Sequence, residues 1–271
     1  MQAWKGETEQ VLVLPKGLQW LRVALRASVI LFSVFALILP MYGLRRLGFR
    51  RQSQQLVRLA CSGCLWAAGL RLSVEGEPMH RSGAVVSNHV SWMDIFVLNA
   101  VHRVFFVAKS EVRNWPVIGL VARAVGTVFI RRSKLDASNQ VETMLDRISQ
   151  GDRLLFFPEG SSTDGRRVLP FKSTLFAAFF DEALLDALWV QPVTLNYRAP
   201  EGRDPTFYAW WGETSFAPHL AAILARAKTG EVRAVFHPPM KVSDFPDRKS
   251  LARRTEEIVR GGLTVQDKRS I

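Results

Sequence analysis

The sequence predicts an α/β protein: a mainly parallel sheet sandwiched by helices, preceded by a two-helix membrane-anchoring motif. Three observations carry that reading. Six short apolar runs, each of strand length, recur between residues 84 and 236. Helical stretches separate several of them, and strands alternating with helices imply parallel pairing through crossovers. Ahead of them lies an uncharged apolar run bracketed by arginines. The expected division is 1–71 for the membrane-associated helical motif and 72–271 for the α/β domain. At 271 residues the chain suits one full-sized domain with an appendage.

The anchor comes first. Residues 27–43 read ASVILFSVFALILPMYG, 17 residues without a charge, at the low edge of what spans a bilayer. Arg22 and Arg26 precede the run, and Arg45, Arg46, Arg50 and Arg51 follow it. The run lies too far from the start for a secretory signal and lacks a small-residue cleavage site. Pro40 is expected to kink or stop the helix. A second, amphipathic helix follows, with Leu56, Val57, Leu59, Ala60, Cys61, Cys64, Leu65, Trp66 and Leu70 on it, together with Arg58 and Arg71. Basic residues flank both segments, so charge asymmetry defines no crossing direction. A hairpin dipping into one leaflet satisfies the pattern better than one clean span; a single transmembrane helix and a soluble core helix are the alternatives. Cys61 and Cys64 form a C-x-x-C inside an apolar helix, where cysteine packs as a small hydrophobe.

The strands are expected at 84–87, 104–108, 127–131, 154–157, 190–196 and 232–236. Bounded apolar runs of this length suit strands buried on both faces. Residues 138–150 read as a helix: Val141, Met144, Leu145 and Ile148 form one stripe, with Ser138 to cap it and Gly151 to end it. Residues 171–188 and 216–228 are also expected to be helical. Residues 251–259 close the chain as a short charged helix. The aromatic pairs Phe179-Phe180 and Trp210-Trp211 fit core packing, with an acyl tunnel lining as the functional alternative.

Composition narrows the function. Apolar residues make up 48%, which excludes a disordered chain, and two cysteines exclude a disulfide scaffold. A net charge of +12 directs the chain toward polyanions. The basic residues are scattered without an interleaved aromatic platform, so an anionic membrane explains them better than nucleic acid.

In parallel sheets, ligands sit where the loops leave the strand ends. The first such loop reads SNHVSWMD, from Ser87 through Asn88, His89 and Ser91 to Asp94. Five residues advance a helix by about 500°, so His89 and Asp94 meet only if a loop turns into a helix near Ser91. An Asp on one ring nitrogen would then leave the other nitrogen basic, a general base worth about 10²–10⁴ in rate. Alone, the same residues also fit a capped helix start. The fourth loop reads FFPEGSSTDG, with Pro158 and Gly160 bracketing Glu159, then Ser161 and Ser162. Small residues there leave backbone amides open to an anion. Arg131 and Arg132 follow the third strand as a twin cation suited to a phosphate or carboxylate. Lys172 opens a helix, where a cation opposes the helix dipole and implies an anion nearby. Pro192, in the run Gln191-Pro192-Val193, is expected to mark an edge strand or bulge.

Taken together and in order, SNHVSWMD, GTVFIRR, FFPEGSSTDGRRVLPFK and QPV resemble the glycerolipid acyltransferase family over about residues 84–197. The resemblance implies an α/β domain with an N-terminal two-helix membrane motif. It implies that His89 is the base that takes the proton from an acceptor hydroxyl and that Asp94 orients it. The hydroxyl then attacks an acyl thioester directly. Glu159 and Gly160 match the block that shapes the acceptor site. Phe129 and Arg132 match the block whose Arg resembles a phosphate binder, and Pro192 matches a block on the acyl side. The sequence departs from the family where Thr-Arg-Ser usually follows the Gly; here Ser161-Ser162-Thr163 stand, and the Arg is absent. Members acylating lyso-ornithine lipid share SNHVSWMDIFVL, an FPEGSS-like block and an LPFKSTLF-like continuation. The expected acceptor is therefore lyso-ornithine lipid. 1-Acylglycerol-3-phosphate is the alternative, with Arg166 or Arg167 replacing the missing clamp.

The implied partners are a lysolipid, a thioester of acyl carrier protein or coenzyme A, and a membrane, with no nucleic acid. No cofactor or metal is expected. The implied place is the cytoplasmic face of the inner membrane. A serine hydrolase would need G-x-S-x-G, which is absent, and nucleotide-binding glycine patterns are absent too. The non-enzyme alternative is a basic membrane-surface binding protein.

Overall fold

The computed structural model describes residues 4–6, 10, 12–114, 118–130 and 137–264. Two antiparallel-leaning helices, α1 (Gln19–Arg46) and α2 (Arg50–Ala67), form the N-terminal hairpin. The strands follow: β1 (Leu70–Glu75), β2 (Gly83–Ser87), β3 (Phe105–Lys109), β4 (Val128–Ile130), β5 (Arg153–Phe156), β6 (Trp189–Arg198), β7 (Gly230–Phe236) and β8 (Met240–Lys241). Between and after them lie α3 (Asp94–Val101), α4 (Ile118–Val125), α5 (Ala137–Ser149), α6 (Glu182–Leu185), α7 (Phe216–Ala225) and α8 (Arg248–Gly261).

The strands form one sheet in the order β1-β7-β6-β2-β5-β3-β4, with β8 paired to β6. From β6 to β4 every neighbour is parallel, while β7 runs antiparallel to β6 and β1 follows β7. The C-terminal ends of β2, β3, β4, β5 and β6 therefore share one edge. Alternation along the strands divides the core. Ala84, Val86, Leu154 and Phe156 face α5, α8 and the 173–185 region. Val85, Leu155, Val193 and Leu195 face α2, α3 and α7. That two-sided burial is why the strands read as unbroken apolar runs.

The α1–α2 hairpin lies over α3: Met41, Val57 and Cys61 pack with Phe96 and Ala100. Arg22 donates to the Ala225 carbonyl at 2.9 Å, and Arg26 to those of Leu224 and Arg226 at 3.0 and 2.8 Å. Two cations thus satisfy the carbonyls left open at the C-terminus of α7. α1 passes the length and composition of a membrane-crossing helix, and its most apolar stretch is unburied by the rest of the chain.

Three expectations change and a fourth is narrowed. Pro40 does not stop α1, which continues to Arg46; its missing N–H costs one bond in a helix otherwise continuous on both sides. Leu70 leaves the second helix and opens β1 instead, paired with Gly230. Residues 171–188 are not one helix: a 3-10 stretch, Ser173–Phe180, is followed by the four-residue α6. Pro192 is not on an edge strand, but it does mark a bulge: Val190 pairs with Met240 and Val193 with Phe236, so two residues of β6 face three between β7 and β8. It lies inside β6, in the gap between the stretches paired to β8 and to β7, where no antiparallel partner awaits its N–H.

Candidate active site

β2 delivers the catalytic candidates to the sheet edge. Its last paired residue is Ser87, opposite Val193. Asn88 then continues the ladder with its side chain: Nδ2 donates to the Leu195 carbonyl at 3.0 Å, and Oδ1 accepts the Leu195 N–H at 2.8 Å. The backbone is thereby released to turn while it stays clamped to β6. Residues 88–93 make that turn, and α3 begins at Asp94.

The turn brings Asp94 back onto His89. Asp94 Oδ2 lies 2.7 Å from His89 Nδ1 and also accepts the N–H groups of Val90 and Ser91 at 2.8 and 3.0 Å. Asp94 Oδ1 accepts the Tyr197 hydroxyl at 2.7 Å. Four donors thus converge on one fully buried carboxylate. Burial and the Asp94 charge push the Tyr197 hydroxyl well above its usual range, so it remains a donor. A carboxylate oxygen seated on Nδ1 selects the tautomer with its proton there and leaves the Nε2 lone pair available. The His89 side chain is 22% exposed, enough for a substrate to reach it. Its ring stacks on Phe157 at 4.2 Å between centroids, which fixes the ring plane.

The turn after β5 completes the edge. Glu159 is buried and bridges two loops: Oε1 accepts the His89 N–H at 2.6 Å, and Oε2 accepts the Leu169 N–H at 2.7 Å. Burial raises its carboxyl to about 8 against the pull of those two donors. Glu159 thus acts on the His89 backbone, and Thr163 adds a bond from its N–H to the His89 carbonyl at 2.9 Å. Gly160 has φ of 76°, and a Cβ there would lie 2.6 Å from Lys172 Nζ. Lys172 therefore brings its cation onto the turn, and its own N–H binds the Pro158 carbonyl at 3.0 Å. Pro158 is buried. Ser161 Oγ accepts the Trp4 N–H at 3.0 Å, and Ser162 is buried beside it.

The other expected residues divide. Phe129 lies on β4 opposite Ala108, with β3 and β5 between it and β2. Arg131 and Arg132 lie outside the described residues. Pro192 pairs with Val86 within the sheet and is buried. Its neighbour Gln191 ties down the chain around it, accepting the Met79 N–H and donating to the carbonyls of Glu77 and His237. Ser91 is fully buried, and its Oγ has no partner among the described residues. Arg167 pairs with Asp164 at 3.2 Å. Tyr197 and Phe157 escaped sequence reasoning. Each sits at the C-terminal end of an expected strand, and that position was the available signal.

An imidazole with one nitrogen fixed and the other open, on the loop edge of a parallel sheet, suits removal of a hydroxyl proton and transfer of a group to that oxygen. A family model for acyltransferases matches residues 71–196, from β1 into β6. The chain is 53% identical over 224 residues to the lyso-ornithine lipid O-acyltransferase of Rhodobacter capsulatus, covering 83% of this chain and 80% of that protein. It is 42% identical over 198 residues to the enzyme of that name from Brucella abortus, covering 70% and 72%. It is 32% identical over 201 residues to a 1-acyl-sn-glycerol-3-phosphate acyltransferase of Neisseria meningitidis, covering 73% and 76%. The crystal structure of a 1-acyl-sn-glycerophosphate acyltransferase from Thermotoga maritima shares the fold, with a TM-score of 0.64 at 22% identity over 91% of this chain and 93% of that one. The chain belongs to the acyltransferase family and is an enzyme of that class.

Proposed function

We propose that this acyltransferase moves a fatty acyl group from a thioester to the free hydroxyl of lyso-ornithine lipid. The observation that carries the reading is the 53% identity to a protein of that name over most of both chains. The absence of an Arg at Ser162 supports it, because this acceptor carries no phosphate.

In the proposed step, His89 Nε2 takes the hydroxyl proton. The oxygen attacks the thioester carbonyl, the C–O bond forms, and the C–S bond breaks. The departing thiolate recovers the proton from His89. Asp94 stabilises the imidazolium that exists between those transfers. Glu159 and Thr163 position His89 through its backbone. Lys172, on Gly160, supplies a cation for the head-group carboxylate, with Ser161 and Ser162 beside it. The donor is a thioester of acyl carrier protein or coenzyme A. The site works at the cytoplasmic face of the inner membrane, with α1 laid into one leaflet. The chemistry asks for no metal or cofactor.

The test is an acyl-transfer assay on purified protein in detergent. Lyso-ornithine lipid and 1-acylglycerol-3-phosphate are offered in parallel, each with both thioesters. Turnover is expected with the ornithine acceptor, and His89→Ala is expected to lower it at least about 10²-fold. Turnover of the phosphate acceptor alone would overturn the head-group assignment. Full activity of His89→Ala would overturn the mechanism.

A further inference from the structure

We propose that an arginine-lined pocket at the α1–α2 turn binds the phosphate of an anionic phospholipid head group. The pocket lies away from the active site. Arg103 and Asp152 stand just before β3 and β5, at the N-terminal edge of the parallel strands, whereas His89 follows β2 at the opposite edge.

Arg45 and Arg50, from the two sides of the hairpin turn, meet Arg103 and Arg147 there, with Phe105 in the wall. Among the described residues, one carboxylate in direct contact faces these four guanidinium groups. Asp152 lies 2.9 Å from Arg147 Nε and 3.5 Å from Arg103 Nη2. Asp146 adds a second, more distant negative charge to Arg147. The cluster is built rather than incidental. The Arg147 guanidinium lies 4.0 Å from the Phe105 ring centre and donates to the Gly126 carbonyl at 3.2 Å. A Cβ on Gly126 would collide with the Arg45 guanidinium, so glycine there makes room for it. The buried Nε of Arg103 has no hydrogen-bond partner among the described residues. Burial pulls the Arg147 guanidinium down, and Arg45 and Arg50 push the same way. An anion relieves that crowding, and planar guanidinium forks fit phosphate oxygens.

The surroundings select a lipid. The turn beside the pocket exposes Leu47 at 73%, Phe49 at 50% and Tyr42 at 49%. An apolar rim around a cationic pocket matches a head group with its acyl chains alongside.

The test is sedimentation of the full chain with vesicles of phosphatidylcholine, with and without phosphatidylglycerol. The wild type is expected to prefer the anionic vesicles. Arg45→Gln/Arg50→Gln is expected to lose at least about tenfold of that preference, the worth of one charged hydrogen bond. Arg253→Gln/Arg254→Gln, on the exposed face of α8, removes equal charge and is expected to keep most of it. Both doubles are expected to retain acyl transfer in detergent. Arg45→Lys/Arg50→Lys keeps the charge but not the fork, and is expected to resemble the Gln double. Full preference in the Gln or Lys double, or equal loss in the α8 control, would reduce the effect to diffuse charge and overturn the site. Inorganic phosphate supplies the last arm. If it stabilises the wild type but not the Gln double while the lipid preference is the same in both, the pocket holds a soluble anion and the lipid assignment fails.

Discussion

At the scale of single residues, Asp94 decides what His89 is able to do. Its carboxylate takes four donors, and one of them is the imidazole. Asp94→Asn exchanges one acceptor oxygen for an N–H donor, so the ring flips tautomer or loses its hold. The expected result is a fall in kcat of about 10²–10⁴ with KM little changed, read by steady-state kinetics. Glu159 gives a second prediction, in stability against pH. Its carboxyl is raised in the folded protein, from about 4.5 to about 8. A raised carboxyl binds its proton more tightly when folded. Its contribution is full below about pH 4.5 and is lost as pH rises toward 8. Against the non-titrating Glu159→Gln, the wild type is therefore expected to lose relative stability across that window. Melting temperatures of both proteins from pH 5 to about 8 measure this; a constant gap would contradict it.

At the scale of elements, the hairpin is held by both ends. Its N-terminal half reaches α7 through Arg22 and Arg26, and its turn reaches β3 and α5 through the arginine pocket. Arg26 donates to two carbonyls at the end of α7. Arg26→Ala leaves those acceptors to water or unpaired, at a cost of about 1.5–3 kcal/mol for charged hydrogen bonds. Limited proteolysis in detergent is expected to cut the variant faster between α1 and the domain, with acyl transfer largely retained. The same logic explains Pro192. A strand accepts proline inside the sheet when one partner ends before the next begins, and β6 changes partner from β8 to β7 there.

At the scale of the whole molecule, α1 leaves one apolar surface exposed. Leu21, Leu25 and Phe32 on α1 are 71%, 67% and 73% exposed, and no part of the described chain covers them. An exposed apolar face of that length needs a covering. Membrane retention of the wild type is expected to survive a high-salt wash, because burial of apolar surface is insensitive to screening. Leu25→Asp/Phe32→Asp is expected to shift the protein to the soluble fraction without lowering the melting temperature. Retention of that variant would place the membrane contact elsewhere.

The sequence by itself determined the layers. Strands buried on both faces must be apolar throughout, so β2 to β7 were legible as runs, and the helical stripe of Met144 and Ile148 marked α5. It also determined the chemistry of two loops, because His, Asp and Glu at strand ends have few bland uses in combination. It did not determine β1, an edge strand in which only Leu70 is buried and the residues after it are partly or fully exposed, nor the breaking of 171–188, where apolar residues at helical density fold as a 3-10 stretch. Only the tertiary structure decided which groups hold His89 from behind. Tyr197 lies 103 residues from Asp94, Glu159 lies 70 from His89, and Asn88 reaches 107 residues to Leu195. Such contacts depend on strand order and register, which local pattern does not encode. The arginine pocket has the same origin. Four arginines spread from 45 to 147 read separately as surface charge, and they become one site only when the hairpin turn closes on the sheet.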